Sequence, residues 1–367
     1  MGGVVVGCTP DAGPADGDGL AQIQDVADAL CAAMAARDRS GFEAAGSAEA
    51  LEQLWQVTGL GAPLQIDRIE VIGWREIDGR TGVDCRWHWR WPDDPMRAGS
   101  GVAAGAVSEL PMTLVRRGQR WLVGGLVPVA SAPAWWSGAV ESIRPLDLAG
   151  GVSSVVVARP GPGVDLAPVW TERWAAAGQR LAERGRDGVL AEGWPVVLEL
   201  GSGEDLGGLA ARTSRVAGEP PAYTITLAAD QLADQEDEPA ITLLHHELIH
   251  AVSGSPDAAA PLWIIEGYAE WHALAGSPGS AQLIRERVLP RWQGGDPAVP
   301  EDADFSATDL DVAYARAWSA MLALEELVGV DALEAVVAAA YRGELDRGLR
   351  RAGVGLEEIN AAAARVR

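Results

Sequence analysis

The stretch DEPAITLLHHELIHAVSGSP, residues 237–256, followed closely by PLWIIEGYAEW, residues 261–271, decides how the rest of the chain is read. In the first piece Ile241, Leu244, Leu248 and Val252 recur at steps of three and four, the period of an amphipathic helix. Asp237 is a suitable cap, Pro239 suits the first turn, and Gly254 with Pro256 supplies a stop, so the spacing predicts a helix of about 15 residues. His246 and His250 fall away from the apolar stripe and are one turn apart. At that spacing two Cβ atoms lie about 5–6 Å apart, and both imidazoles can reach one cation at about 2.0–2.1 Å. The alternative is a surface helix that happens to stack two histidines. Pro261 begins a second helix, on which Glu266 and Glu270 share a face.

The order of these pieces, His246-Glu247-Leu248-Ile249-His250 and then a W-x-x-E-G-x-A-E-W run from Trp263 to Trp271, resembles the gluzincin metallopeptidases. That clan includes the thermolysin family, the membrane-alanyl-aminopeptidase family and the bacterial peptidase MA-like domains. The resemblance covers roughly residues 150 to 345. It implies a Zn²⁺ ion held by His246, His250 and Glu266, and Glu270 as the carboxylate that orients a ligand histidine through its free N–H. For Glu270 the alternative is an ordinary helix-surface charge. Three protein ligands leave a fourth position for water, as in catalytic rather than structural zinc sites. Glu247, beside a ligand but rotated off the metal, is then the general base of peptide hydrolysis.

Residues 311 to 322 are similar to the helix that follows the zinc site in the aminopeptidase and MA-like families, which makes Tyr314 the candidate oxyanion donor. Packing of Tyr314 on Trp318 is the alternative. Tyr268 is a weaker candidate, because two residues past Glu266 it points elsewhere. His245 reads as a packed neighbour of the apolar stripe rather than a fourth ligand, and His272 lies off the Glu266 face. The run Tyr223 to Leu227 occupies the place of the edge strand on which related peptidases seat an extended substrate. The glycine-led exopeptidase motif of aminopeptidases is absent from this region.

A chain of 367 residues is long enough for two domains. Hydrophobic residues at 48% and charged ones at 22% describe a chain with a proper core rather than a disordered one. No run approaches the roughly 20 apolar residues of a spanning helix. With 52 acidic and 29 basic side chains the formal charge is −23, which argues against nucleic acid and anionic membranes as partners. Every basic residue is arginine and the only asparagine is Asn360, a pattern expected of a GC-rich bacterial genome.

Cys8, Cys31 and Cys85 are too few and too scattered for a zinc ribbon or a disulfide framework. Val5-Val6-Gly7-Cys8, followed by a Pro- and Gly-containing run, resembles a bacterial lipoprotein signal and implies export with a lipid anchor at Cys8. A plain tail with an exposed thiol is the alternative. An exported chain would permit pairing of Cys31 with Cys85.

The expected fold class is α+β in two parts. After a tether over residues 1–19, residues 20–130 combine an amphipathic helix carrying Leu20, Ile23, Val26, Leu30 and Met34, a short helix near Leu51 to Val57, and a meander of strands from Ile66 to Leu126. That order resembles the cone-like nuclear-transport-factor-like fold. Trp87, Trp89 and Trp91 alternate with Arg86, His88 and Arg90, which places the indoles on one strand face, as core or as a stacking platform, and turns His88 toward solvent. Residues 131–150 read as a connection. Residues 151–367 form a zincin-type metallopeptidase domain, with a small sheet followed by a helical half. The leading expectation is an exported zinc peptidase acting on a peptide or protein. A zinc-binding surface protein without turnover, and a ligand pocket in the N-terminal part, are the competing ones.

Overall fold

A computed structural model describes residues 17–46, 52, 54, 55, 58, 65–90, 106–127, 142–149, 152–158, 162–184, 196–203, 206, 209–216, 222–292, 298–306 and 309–365. Cys8 and Trp91 lie outside these residues, and the short helix expected near Leu51 is only partly inside them. The chain divides into two compact units, one extending to position 145 with the short pieces 157–160 and 216–222, the other holding the rest. Among the described residues the architecture is mixed helix and sheet, with a separate sheet of four strands and one of five. Among the described residues no helix is long and apolar enough to cross a membrane.

In the first unit α1 (Gly17–Ala36) and α2 (Arg39–Ala45) precede an antiparallel meander of β1 (Gln65–Ile77), β2 (Arg80–Arg90), β3 (Ala106–Arg117) and β4 (Arg120–Leu126). Of the expected stripe Ile23, Leu30 and Met34 are buried, with Ala27 beside them, while Leu20 and Val26 are only half-buried, so the buried face is centred slightly to one side of the expected one. Asp78 and Gly79 both have positive φ, 48° and 72°, the two-residue geometry that matches the twist of a hairpin. The register slips between Val71 and Gly73, where the Gln24 amide accepts from the Val71 N–H and donates to the Ile69 carbonyl, both at 2.8 Å. Trp87 and Trp89 are core, their N–H groups bonded to the Leu110 carbonyl at 3.1 Å and Ser108 Oγ at 3.0 Å. His88 is half-buried on the other face, 3.5 Å from Glu70, rather than open to solvent. Cys85 is buried and Cys31 half-buried, and both are free thiols.

The second unit takes up the chain within β5 (Ser142–Leu148), a strand inside the stretch read as a connection. It continues through β6 (Val152–Ala158), α3 (Pro162–Arg184), β7 (Val196–Gly201), β8 (Ala211–Val216) and β9 (Ala222–Ala228). The sheet order is β5-β6-β7-β9-β8, with β7 and β9 parallel from Val196↔Tyr223 to Gly201↔Ala228. The run Tyr223 to Leu227 is therefore an interior strand, and the edge belongs to β8. Residues on both faces of β7 are buried, as expected of an interior parallel strand. Trp170 and Trp174 of α3 are also fully buried, and Ser154 relays a hydrogen bond from the Trp174 indole to the Val196 carbonyl.

The remaining described residues are mainly helical: α4 (Asp237–Ser253), α5 (Leu262–Ala275), α6 (Pro278–Leu283), α7 (Leu310–Val328), α8 (Val330–Tyr341), α9 (Leu345–Ala352) and α10 (Leu356–Ala363). The cap of α4 differs from expectation. Glu236 holds that position without a side-chain bond, while Asp237 sits in the first turn and pairs with Arg173 at 2.9 Å. Gly254 ends α4 in the left-handed region at φ 69°, where its N–H caps the last carbonyls.

Gly267, next to Glu266, marks the close crossing of α5 and α7. A Cβ there would stand 2.7 Å from the Ala317 carbonyl oxygen and 3.0 Å from its carbon, which are backbone atoms and do not rotate away. Gly267→Ala is expected to cost about 1–3 kcal/mol through overpacking. Chemical denaturation of the purified protein reads this directly, and an unchanged midpoint would mean that the two helices separate freely.

Candidate metal centre

The neighbouring helices α4 and α5 bring His246, His250 and Glu266 to one point. His250 Nε2 is 2.9 Å from His246 Nε2 and 3.1 Å from Glu266 Oε2, and His246 Nε2 is 3.3 Å from the same carboxylate oxygen. Among the described residues these three form the group of metal-type donors whose ligand atoms all fall within 4.8 Å of one another. A tetrahedral site with bonds of about 2.0–2.1 Å has donor–donor edges of about 3.3–3.4 Å. The observed separations are within a few tenths of an ångström of that figure. The donor set, two imidazoles and a carboxylate, is also one that zinc accepts, so the residues fit the ion.

Each of the two histidines has a further group at its other ring nitrogen. Glu270 Oε1 is 3.4 Å from His246 Nδ1, and Ser255 Oγ is 2.7 Å from His250 Nδ1. Burial opposes a charge on His246, yet the carboxylates of Glu266 and Glu270 outweigh it and hold that imidazole well above its ordinary range. Burial likewise opposes the Glu266 anion, and the two histidines outweigh it in the other direction.

Glu247 faces the same cleft, and Thr213 on β8 donates to its Oε2 at 2.6 Å. Tyr314 on α7 lines the cleft as well. Its ring stands edge-on to His246 at 6.0 Å and to Phe305 at 5.6 Å, so its aromatic neighbours are these two rather than Trp318. Burial, with Glu266, Glu247 and Glu270 nearby, pushes the Tyr314 hydroxyl above its usual range and keeps it a protonated donor. The cavity measures about 440 Å³, and Leu209, Pro256, Leu262 and Ile265 give it an apolar side.

Other sequence candidates lie elsewhere. Tyr268 is fully buried and donates to both oxygens of Glu334, at 2.9 and 2.8 Å, so it is structural. His272 approaches the same carboxylate at 3.7 Å. Among the described residues His245 is buried without a hydrogen-bond partner, and burial pushes its pKa down to about 3, which keeps it neutral. Sequence reading missed Thr213, because β8 went unrecognised, and Ser255, whose only signal was its place directly after the helix-ending Gly254.

Compared by sequence, the chain matches no protein-family model and no curated protein. Solved structures similar to it include an M1 zinc metallopeptidase from Deinococcus radiodurans, at 14% identity and TM-score 0.37, covering 70% of this chain and 59% of that one. A two-domain M1 zinc metallopeptidase variant bound to L-tryptophan is 14% identical at TM-score 0.34, covering 68% of this chain and 58% of that one. A further M1 zinc metallopeptidase variant from Deinococcus radiodurans is 12% identical at TM-score 0.34, covering 80% and 94%. This chain thus spans less than two thirds of the first two. The likeness is coarse, and the chemistry has to be read from the site itself.

Proposed function

We propose that the chain is a zinc-dependent peptidase. The observation that carries the reading is the convergence of His246, His250 and Glu266 beside a cleft that also presents Glu247 and Tyr314. When bound, zinc supplies Lewis acidity toward water and a carbonyl oxygen. Glu247, with Oε2 fixed by Thr213, takes the proton of the attacking water and delivers it to the leaving amine, so water is consumed and a carboxylic acid and an amine are produced. The Tyr314 hydroxyl donates to the oxyanion that develops on the carbonyl. β8 ends the sheet order and lines the cleft, which suits it to align an extended peptide by main-chain hydrogen bonds. Tyr314→Phe is expected to lower kcat about 10²–10³-fold, the cost of one oxyanion donor, with zinc content unchanged.

The first unit, helices against a four-stranded antiparallel sheet, is an accessory domain of the nuclear-transport-factor-like kind, and the second carries the peptidase. The Val5-Val6-Gly7-Cys8 stretch supports an exported chain anchored through Cys8 to a bacterial membrane. The net charge of −23 supports peptide rather than nucleic-acid partners. The test is metal analysis of the purified protein together with hydrolysis of a quenched peptide library. One bound zinc with cleavage supports the peptidase. Zinc without cleavage replaces it by a zinc-dependent binding protein.

A further inference from the structure

We propose that Ser255 is the positioning residue for His250, accepting its Nδ1–H so that Nε2 presents a lone pair to the metal. The inference rests on the metal-binding part of the reading above and does not require turnover. His246 and His250 are equivalent in the sequence motif but not in their support. His246 has a carboxylate, Glu270, at 3.4 Å, whereas His250 has the neutral Ser255 hydroxyl at 2.7 Å. The tautomer of a ligand histidine is set by the hydrogen bond at its other nitrogen, and supporting groups of this kind fix ring orientation.

Local geometry delivers the serine to that nitrogen. α4 ends at Gly254, whose φ of 69° is a left-handed conformation that turns the chain back on its own last turn. Ser255 starts the short helix Ser255–Asp257 and returns to the ring five residues upstream; it is 2% exposed. Asp257 pins the far end of this turn, paired with Arg215 at 3.1 Å and accepting from the Tyr223 hydroxyl at 3.4 Å. A serine hydroxyl is both donor and acceptor, so its own proton needs a place to go. The His250 carbonyl oxygen lies 3.5 Å from Ser255 Oγ. With that acceptor for the serine proton, an Oγ lone pair is left for His250 Nδ1–H.

The test compares wild type with Ser255→Ala in two measurements made on the full chain. Zinc affinity is read by competition with a chelator, with the unfolding midpoint of each metal-free protein recorded alongside. The imidazole N–H protons of the zinc-loaded proteins are followed in the downfield region of the proton NMR spectrum. Ser255→Ala is expected to bind zinc about 10–100-fold more weakly, the range for loss of a supporting contact. It should also lose the slowly exchanging His250 N–H resonance, keep that of His246, and unfold in the metal-free form where wild type does. Unchanged affinity, a surviving His250 resonance, or a weakening matched by a collapse of the metal-free fold would overturn the role of Ser255 and leave the metal site standing. Failure of the wild type to bind zinc would overturn the metal reading and this inference with it.

Discussion

Glu247→Gln is expected to lower kcat on a cleavable peptide by about 10²–10⁴-fold while zinc stays bound. The amide has nearly the shape of the carboxylate, keeps an oxygen to accept the Thr213 hydroxyl, and differs in being unable to take a proton at neutral pH. Packing around α4 should therefore persist, and the loss should fall on kcat rather than on folding or metal content. Initial rates combined with metal analysis of the same preparation make the distinction. A Gln variant that turns over like wild type would remove Glu247 from the chemistry. One that has lost its zinc would make Glu247 a structural support of the site.

Glu266→Ala is expected to weaken zinc binding by more than about 100-fold, beyond the 10–100-fold range of a group that supports a ligand from behind. Glu266 Oε2 lies within 3.1–3.3 Å of both histidine nitrogens, whereas Glu270 reaches His246 only through its Nδ1 side at 3.4 Å. Chelator competition on Glu266→Ala and Glu270→Ala should rank the first as the greater loss. A reversed ranking would move the third ligand to Glu270, about one helical turn further along α5.

The helices around the site were legible because their apolar period, the prolines at 239 and 261 and the glycine at 254 are local signals. The same locality put His246 and His250 on one face of their helix, and the gluzincin resemblance added Glu266; the structure brings the three donor groups together. Sheet order was not legible. Tyr223 to Leu227 alternates in sequence like a half-exposed strand, yet β9 lies between β7 and β8, and no local pattern records such a crossover. β8 itself, Ala-Arg-Thr-Ser-Arg-Val, has too little apolar alternation to announce a strand. β5 was hidden by Pro145, which an end strand of a sheet tolerates. Thr213 therefore escaped notice together with its strand, although it lies 2.6 Å from Glu247. Ser255 escaped because its partner is reached only once the chain reverses at Gly254.

Zinc K-edge X-ray absorption on the stoichiometrically loaded protein tests the metal site most directly. The account predicts one zinc per chain with imidazole scattering from two histidines and the remaining ligands oxygen, at about 2.0–2.2 Å. A sulfur shell at about 2.3 Å, the signature of cysteine ligation, or a chain that retains no zinc after dialysis, would contradict it.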